Sequence, residues 1–401
     1  MRGSGELDLV VVGGGGHVGL PLSLTFAAAG LRVGVFDTNR ATLDRIGRGE
    51  MPFMETGAEA LLCDLLPTGR LVLSDDPSTV ARADNVVVVI GTPVDEFLHP
   101  SMTVFDRVVD QLAPCLRDGA LVVMRSTVYP GTTQHVADAL ERRGRRVDVA
   151  FCPERIAEGH ALEELTSLPQ IVGADSASAG ERAEALFGRL GAKTIRTTSR
   201  EAELAKLFTN TWRYMKFAVA NQFFMIAHQA GVDYTNVLAA IREDYPRAAD
   251  LPAPGFAAGP CLFKDAMQLA AFTSDHFPMG QSAMLINEGL PAYIVSALER
   301  RYGSLRGKRV GILGMAFKAE SDDARASLSY KLRKLLGWAG AEVACTDPFV
   351  ADDRLVPLDR VIDESEVLVL GVPHRAYRGL RFPAGRDVVD VWGALGEGIR
   401  L

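Results

Sequence analysis

The sequence predicts an α/β protein in which two doubly wound domains are joined by a central helical domain. Three observations support this prediction. A glycine-rich turn separates a strand-like run from a helical run near the N-terminus, strand-like and helical segments alternate up to about residue 197, and the same alternation resumes after residue 300. The segment between the two regions has helical spacing and no strand signal.

The first α/β region opens with a βαβ unit. Residues 9–12 are an apolar run suited to a buried parallel strand. Residues 18–29 have helical spacing with Gly30 as the C-cap, and residues 32–36 form the second strand. Further strand-like runs follow at 85–91, 120–127 and 147–153. Because helical segments separate these runs, they indicate a doubly wound parallel sheet.

The central region begins with a long helical pattern, EAELAKLFTNTWRYMKFAVANQFFMIAHQAG, and continues with shorter ones near 233–243 and 281–300. The long helix is apolar on more than one face, so we expect a homodimer to bury it. The segment LRGKRVGILGMAFK opens the second α/β region, which continues through a helix at 327–340 and the runs AEVACTDP, VLVLGVP and DVVDVW. The expected domains are residues 1–197, 198–300 and 301–401.

Composition excludes several classes of protein. A chain of 401 residues is too long for one ordinary core, and 48% apolar with 23% charged residues is normal for a soluble protein. A net charge of −7 without a basic run argues against nucleic-acid and membrane-surface partners. The N-terminus lacks the features of a signal peptide, and the longest apolar stretch is too short to span a bilayer. We therefore expect a cytoplasmic protein.

The five cysteines are odd in number and dispersed, with neither CxxC nor zinc-ligand spacing. They predict no disulfide framework and no metal site. Cys261, in GFAAGPCLFKDAMQL, differs because Gly and Pro precede it while Lys264 and Asp265 follow it. Its thiol is either a small buried hydrophobe or a nucleophile.

The glycine-rich turn has the pattern of a dinucleotide site. Gly14, Gly16 and Gly19 form GxGxxG between a strand and a helix, and Asp37 ends the next strand. The two α/β regions are expected to be Rossmann-like domains, and this motif assigns the dinucleotide to the first of them. A carboxylate at this place favours NAD, since it would repel the 2′-phosphate of NADP, although Arg40 leaves NADP as an alternative.

Two further loops follow strand-like runs, where ligands of such sheets bind. They are GTPVDE, with Thr92 and Pro93, and STVYPGTT, with Thr127. Ordinary turn and helix-capping chemistry is the competing interpretation for both loops.

Four more motifs carry a resemblance to a known family. In chain order they are CPERIAEG (152–159), EAELAKLFTN (201–210), GPCLFKD (259–265) and GMAFKAESDDARAS (314–327). Together with the dinucleotide motif they resemble the UDP-glucose/GDP-mannose dehydrogenase family from residue 9 to about residue 392. The resemblance implies oxidation of the C6 hydroxyl of a nucleotide sugar to a carboxylate, with two NAD in succession and a cysteine that forms a thiohemiacetal and then a thioester.

The resemblance also implies roles for individual residues. The implied catalytic set is Cys261, Lys206, Asn210, Asp265, Glu154 and Thr127. The implied cofactor-binding set is Gly14, Gly16, His17, Val18, Gly19, Asp37, Thr92, Thr127, Glu158, Lys264 and Arg325. The implied substrate-binding set is Glu154, Arg155, Lys206, Asn210, Arg247, Gly255, Phe256 and Lys318, where Arg247 would reach the site of a partner subunit. Asn221 and Asn287 are weaker candidates, equally compatible with structural roles.

Departures from the family pattern bear on the identity of the sugar. Ala257 and Ala258 replace glycines of the loop before the cysteine, and Thr42 stands where some members carry a lysine. CPERIAEG with LPQIVG is similar to members that act on UDP-N-acetylhexosamines such as UDP-N-acetylmannosamine, while the KD pair after the cysteine resembles the UDP-glucose enzymes. A two-electron β-hydroxyacid dehydrogenase and a non-catalytic nucleotide-sugar-binding protein stay open. The NADH yield per sugar separates these hypotheses. A nucleotide-sugar 6-dehydrogenase gives two NADH, a two-electron dehydrogenase gives one, and a binding protein gives none.

Overall fold

A computed structural model describes residues 6–92, 101–274 and 276–395. The chain forms two compact units, Met1–Thr209 and Asn210–Leu401. Residues 93–96 of the GTPVDE loop, including Pro93, and residues 396–401 of the third expected domain lie outside the described residues. The domain boundaries after residues 197 and 300 stay a prediction.

The first unit is built on an eight-stranded sheet with the strand order β3-β2-β1-β4-β5-β6-β7-β8. The strands are β1 Leu9–Val12, β2 Val33–Phe36, β3 Leu71–Ser74, β4 Asn85–Val88, β5 Leu121–Met124, β6 Asp148–Phe151, β7 Gln170–Gly173 and β8 Thr194–Thr197. The helices are α1 Gly19–Ala28, α2 Arg40–Gly47, α3 Ala58–Leu65, α4 Thr103–Leu112, α5 Thr132–Arg142, α6 Ala161–Ser167 and α7 Ala177–Gly188, with short 3-10 helices at Leu66–Thr68 and Pro77–Arg82. Helix α8, Ser199–Gln229, continues into the second unit.

The side chains of β1 alternate between two hydrophobic clusters, one on each face of the sheet. Leu9 and Val11 of β1 belong to one hydrophobic cluster, while Val10 and Val12 belong to the other. Because helices cover both clusters, the strand is apolar at every position. This confirms the α/β doubly wound prediction for the first region.

The last two strands reverse the parallel pattern. β7 pairs with β6 in the antiparallel sense, and β8 is parallel to β7. The connection that carries CPERIAEG therefore stays at the carboxyl edge of β6 instead of crossing a face of the sheet. That edge is where ligands of doubly wound sheets bind.

The second unit contains a four-stranded parallel sheet in the order β10-β9-β11-β12, beside helices that pack on one another. Its strands are β9 Arg309–Leu313, β10 Glu342–Thr346, β11 Val367–Leu370 and β12 Asp387–Val389. Its helices are α9 Tyr234–Arg242, α10 Leu262–Phe272, α11 Pro278–Tyr302, α12 Leu328–Trp338 and α13 Leu358–Glu364, with a 3-10 helix at Arg375–Tyr377. The second α/β region and the central helices are thus confirmed. Among the described residues, no helix combines the length and apolarity needed to cross a bilayer.

Candidate active site

The glycine-rich turn between β1 and α1 is shaped by packing at two glycines and left open at a third. A Cβ at Gly14 would lie 2.8 Å from the carbonyl oxygen of Val11, and one at Gly19 would lie 2.3 Å from that of Gly13. A Cβ at Gly16 would meet nothing closer than 3.7 Å, and Gly16 is exposed. Glycine at this position is therefore not required by internal packing, and the bare backbone suits the close approach of a pyrophosphate.

Asp37 lies directly after β2, beside this turn. Its Oδ2 accepts the N–H of Gly15 at 2.9 Å and its Oδ1 accepts the N–H of Asn39 at 2.9 Å. The side chain is half-buried, so each oxygen retains acceptor capacity for ribose hydroxyls. The Arg40 guanidinium instead contacts Asp44 at 3.2 Å and Asp75 at 3.1 Å on the surface.

Four further cofactor candidates of the first unit lie near the same edge. His17 stacks on Phe53 with 4.1 Å between ring centroids, and Val18 is the N-cap of α1. Thr92 lies past the end of β4 and Thr127 past the end of β5. The sheet order places β1, β4 and β5 side by side, so these residues follow neighbouring strands.

A buried ion pair lies where β5 and β6 end. Arg125 is 0% exposed, and its Nε donates to Oε2 of Glu154 at 2.9 Å, with Nη2 2.6 Å from the same oxygen. Oε1 of Glu154 accepts the N–H groups of Arg155 at 2.7 Å and Ile156 at 3.0 Å. A carboxylate offers about four acceptor positions, and these contacts fill them. The arrangement favours an anchoring role for Glu154 over proton transfer.

The Arg125 guanidinium is also fixed from its other side. Its Nη1 and Nη2 each donate to Oε1 of Gln170 at 3.2 Å, and Nη1 donates to the carbonyl oxygen of Cys152 at 3.1 Å. Its Cζ lies 4.7 Å from the ring centroid of Phe187. Sequence reasoning missed Arg125, although its place before Thr127 in MRST marked it as a charge next to a strand end.

The CPERIAEG loop is held at several points by side chains and backbone groups. Arg155 donates to the carbonyl oxygen of Pro169, so its side chain is turned toward the β7 end of the connection. Glu55 accepts the N–H groups of Gly159 and Ala161 at 2.8 Å each. Glu158 lies within this fixed loop and is half-buried.

A second buried carboxylate links the Thr127 loop to helix α8. Glu203 is 1% exposed and accepts the N–H groups of Gly131 at 2.6 Å and Thr133 at 2.8 Å, together with the Thr133 hydroxyl at 2.6 Å. Lys206 follows Glu203 by three residues and is 8% exposed. The acid therefore fixes the start of α5 against the helix that carries Lys206. An acid one turn before the lysine was the only sequence signal for this link.

In the second unit the structure brings three predicted catalytic residues to the start of α10. Cys261 is exposed and is the N-cap of α10, a favourable place for an anion. Asp265 is 0% exposed, and its Oδ2 accepts a hydrogen bond from Nδ2 of Asn210 at 2.5 Å. Its Oδ1 lies 3.7 Å from Nζ of Lys264 and accepts no hydrogen bond from the described residues.

The loop before Cys261 is fixed by two asparagines. Asn221 donates to the carbonyl oxygen of Gly255 at 3.0 Å and accepts its N–H at 2.8 Å. Asn287 accepts a second hydrogen bond from Asn221 at 2.9 Å. Gly255 has a φ of +149°, and a Cβ there would lie 2.3 Å from the indole of Trp392. Asn221 and Asn287 therefore have structural roles, and Gly255 is required by this close packing.

Other substrate candidates surround the same loop. Phe256 is buried against the indole of Trp392, and Ala257 is buried as well. Ala258 packs against the hydrophobic core of this unit. Ala257 is therefore enclosed by protein, whereas Ala258 is only partly buried.

The GMAFKAESDDARAS loop after β9 adjoins the cysteine loop. A Cβ at Gly259 would lie 2.6 Å from the ring of Phe317, so the two loops pack closely. Lys318 is half-buried, and Arg325 is held by Asp323 with 2.6 Å between Nη2 and Oδ2. Arg247 lies away from this loop in sequence and is exposed.

Comparisons with known proteins match three successive parts of the chain to one family. Residues 8–191 match the NAD binding domain of the UDP-glucose/GDP-mannose dehydrogenase family, residues 200–289 its central domain and residues 311–396 its UDP binding domain. The chain is 29% identical to the UDP-N-acetyl-D-mannosamine dehydrogenase of Pyrococcus horikoshii, with 98% of this chain and 93% of the relative aligned.

Two solved structures are similar along nearly the whole chain. A UDP-glucose dehydrogenase from the hyperthermophilic archaeon Pyrobaculum islandicum has a TM-score of 0.91 at 29% identity, covering 100% of this chain and 98% of that chain. A UDP-D-ManNAc dehydrogenase from Pyrococcus horikoshii has a TM-score of 0.87 at 28% identity, covering 94% of this chain and 91% of that chain. The chain therefore belongs to the UDP-glucose/GDP-mannose dehydrogenase family, and it is an NAD-dependent nucleotide-sugar dehydrogenase.

Proposed function

We propose that this enzyme oxidises the C6 hydroxyl of a UDP-N-acetylhexosamine, of the UDP-N-acetylmannosamine type, to the uronic acid in two successive steps. The observation that carries the four-electron reaction is the exposed Cys261 at the start of α10, one turn before the buried Asp265. A two-electron oxidation has no use for such a thiol. The relatives named for UDP-N-acetyl-D-mannosamine support the sugar, and the Pyrobaculum islandicum relative keeps UDP-glucose as the alternative.

The first unit is the part of the chain that would hold the cofactor. The open backbone at Gly16 suits the pyrophosphate, and Asp37 suits the adenosine ribose. NAD, when bound, supplies the hydride acceptor for each of the two oxidations.

Cys261 holds the intermediate between the two oxidations. Its thiolate adds to the C6 aldehyde, and the oxygen takes a proton to give a thiohemiacetal. Loss of the C6 hydrogen as hydride and of the hydroxyl proton then leaves a thioester. Water adds to this carbonyl, the C–S bond breaks, and the carboxylic acid and the free thiol are released.

The neighbours of Cys261 fit the hydrolytic step. Oδ1 of Asp265 retains its acceptor capacity and can orient the attacking water, while Asn210 fixes the other oxygen of this carboxylate. Lys206 and Asn210 are four residues apart on α8, so they lie on one helix face. A cation and an amide on that face would stabilise the oxyanion that develops at C6.

The test of the proposed function is a substrate panel of UDP-glucose, UDP-N-acetylglucosamine, UDP-N-acetylmannosamine and GDP-mannose, with NADH release followed for each. We expect two NADH per molecule of at least one UDP-sugar, with an N-acetylhexosamine ahead of glucose. Oxidation of GDP-mannose alone would make the base assignment wrong. A yield of one NADH with every sugar would contradict the four-electron mechanism.

Asp37 is expected to make NAD strongly preferred over NADP. The carboxylate accepts hydrogen bonds from ribose hydroxyls and repels a 2′-phosphate. Changing Asp37→Ser weakens the ribose hydrogen bonds of NAD and removes the repulsion of NADP. The ratio of kcat/KM for NAD to that for NADP should therefore fall by about 10- to 100-fold. Steady-state kinetics with both cofactors measure the ratio. Equal efficiency of the wild-type enzyme with both cofactors would contradict the prediction and would point to Arg40.

The enzyme is further expected to be a homodimer that buries one face of α8. Exposed apolar side chains on this helix are Phe208, Trp212, Val219, Phe223 and Ile226, each between 43% and 56% exposed. At 100° per residue they fall within an arc of about 60°. An exposed apolar stripe on one long helix can be buried by packing against the same stripe of a second copy of the chain. The exposed Arg247 would then be available to the partner.

Trp212→Glu should therefore shift the enzyme from dimer to monomer in sedimentation at assay concentration. Trp338→Glu is the matched control, because Trp338 is 73% exposed on a different helix and should leave the dimer intact. A wild-type enzyme that sediments as a fully active monomer would rule the dimer out.

A further inference from the structure

A buried acid–histidine pair lies beneath the loop that carries Lys318. Asp347 directly follows β10, and His374 follows β11 in GVPHRAY. Both side chains are 0% exposed, and Nε2 of His374 lies 3.1 Å from Oδ2 of Asp347. Neither residue belongs to the catalytic or binding sets considered above.

The two side chains accept hydrogen bonds from backbone N–H groups of the loop on both sides of Lys318. Oδ2 of Asp347 accepts those of Met315 at 2.6 Å and Ala316 at 2.9 Å. Nδ1 of His374 accepts the N–H of Glu320 at 3.0 Å. The loop is thus anchored two residues before and two residues after the lysine.

These contacts also define the protonation state of both side chains. Because Nδ1 of His374 accepts a hydrogen bond, its proton is on Nε2, which donates to Asp347. Burial by itself would raise the pKa of Asp347, but the hydrogen bonds from His374, Met315 and Phe349 outweigh it and lower the pKa to about 2. Glu320 has a φ of +55°, an unfavourable value for a residue with a Cβ, which the bond to His374 helps to hold.

The first unit has an acid at the same topological place but uses it differently. β10 lies beside β9 as β2 lies beside β1, so Asp347 corresponds to Asp37. Asp37 is half-buried and accepts one N–H group on each oxygen, which leaves room for a ribose. Asp347 also accepts the N–H groups of Phe349 and Val350, so five donors fill a fully buried carboxylate.

We propose that Asp347 and His374 are positioning residues that fix the Lys318 loop for the diphosphate of the substrate. Asp37 is available to a ribose in the first unit. Asp347, at the corresponding place in the second unit, is fully buried and holds the Lys318 loop instead. The inference rests on the proposed function and on the substrate-binding role of Lys318 that the family resemblance implies. Anchoring the backbone before binding reduces the ordering needed when the phosphates reach the ammonium group.

The test compares two variants at one position. His374→Leu removes both hydrogen bonds, whereas His374→Asn keeps an acceptor near the place of Nδ1. We expect His374→Leu to raise the Kd for UDP, measured by titration calorimetry, and the KM for the UDP-sugar by about tenfold. The kcat and the Kd for NAD should change less than about twofold, and His374→Asn should recover much of the UDP affinity.

His135→Leu is the matched control, since His135 contacts Asp106 at 2.7 Å in the first unit and should leave UDP affinity unchanged. Hydrogen exchange of the peptide 314–321 in the absence of ligand reports the anchor by itself. Exchange should be fastest in His374→Leu and closer to the wild-type rate in His374→Asn. A folded His374→Leu enzyme with wild-type UDP affinity and wild-type exchange would overturn the inference. If His374→Leu does not fold, His374→Ala, which also lacks the acceptor, replaces it, and wild-type UDP affinity with wild-type exchange in that variant would overturn the inference equally. Failure of wild-type enzyme to bind UDP, with exchange altered as expected, would contradict the proposed function and leave the anchor standing.

Discussion

Cys261→Ser is expected to abolish formation of the uronic acid while leaving the fold and NAD binding intact. The variant keeps the shape of the side chain but loses the nucleophile, because a serine hydroxyl is far less nucleophilic than a thiolate. Loss of a covalent nucleophile reduces kcat by on the order of 10³-fold or more. Cys261 is exposed, so the exchange leaves no cavity in a core.

The measurement is the yield of acid and of NADH per UDP-sugar, with NAD affinity followed by fluorescence. Cys63→Ser is the matched control, since Cys63 is another exposed thiol of the chain and should leave turnover unchanged. Steady-state turnover to the acid near the wild-type rate in Cys261→Ser would make the assignment of the nucleophile wrong.

The parts of the site that were predictable from sequence are those encoded by local patterns. The glycine turn and Asp37 lie within one βαβ unit, where spacing fixes geometry. The direction of strand β7 was not predictable from the sequence. Its apolar run resembles any buried strand, and the reversal of its direction depends on how the connection from β6 stays at one edge. A periodic pattern carries no information on strand direction.

The supporting side chains were not predictable because their partners are remote in sequence. Glu203 meets Gly131 and Thr133 from about 70 residues away, and His374 meets Glu320 from 54 residues away. Single-residue chemistry could suggest a catalytic or a structural role for such polar residues, as it did for Asn221. Only the three-dimensional contacts separate the two roles, and for Asn221 they show a clamp on Gly255.

Arg125→Met is expected to lower the free energy of unfolding of the first unit by about 3–5 kcal/mol, since it leaves the buried Glu154 carboxylate without its cation. Arg125 is 0% exposed and the Glu154 side chain only 10%, so water cannot replace the lost partner. Gln170 would lose both of its guanidinium hydrogen bonds as well. For a unit of this size the change corresponds to a fall in Tm of roughly 10 °C.

Thermal and urea unfolding followed by circular dichroism measure this loss, and two further variants isolate its cause. Arg143→Met removes an arginine whose partner Asp110 is 62% exposed, and such a surface pair contributes at most about 1 kcal/mol. In Arg125→Met/Glu154→Gln the buried charge is gone, so part of the lost stability should return, because an uncompensated anion is the largest contribution to the destabilisation. Equal effects of Arg125→Met and Arg143→Met would show that the buried pair does not stabilise the fold. A double variant less stable than Arg125→Met would assign the loss to packing around the arginine stem rather than to the isolated charge of Glu154.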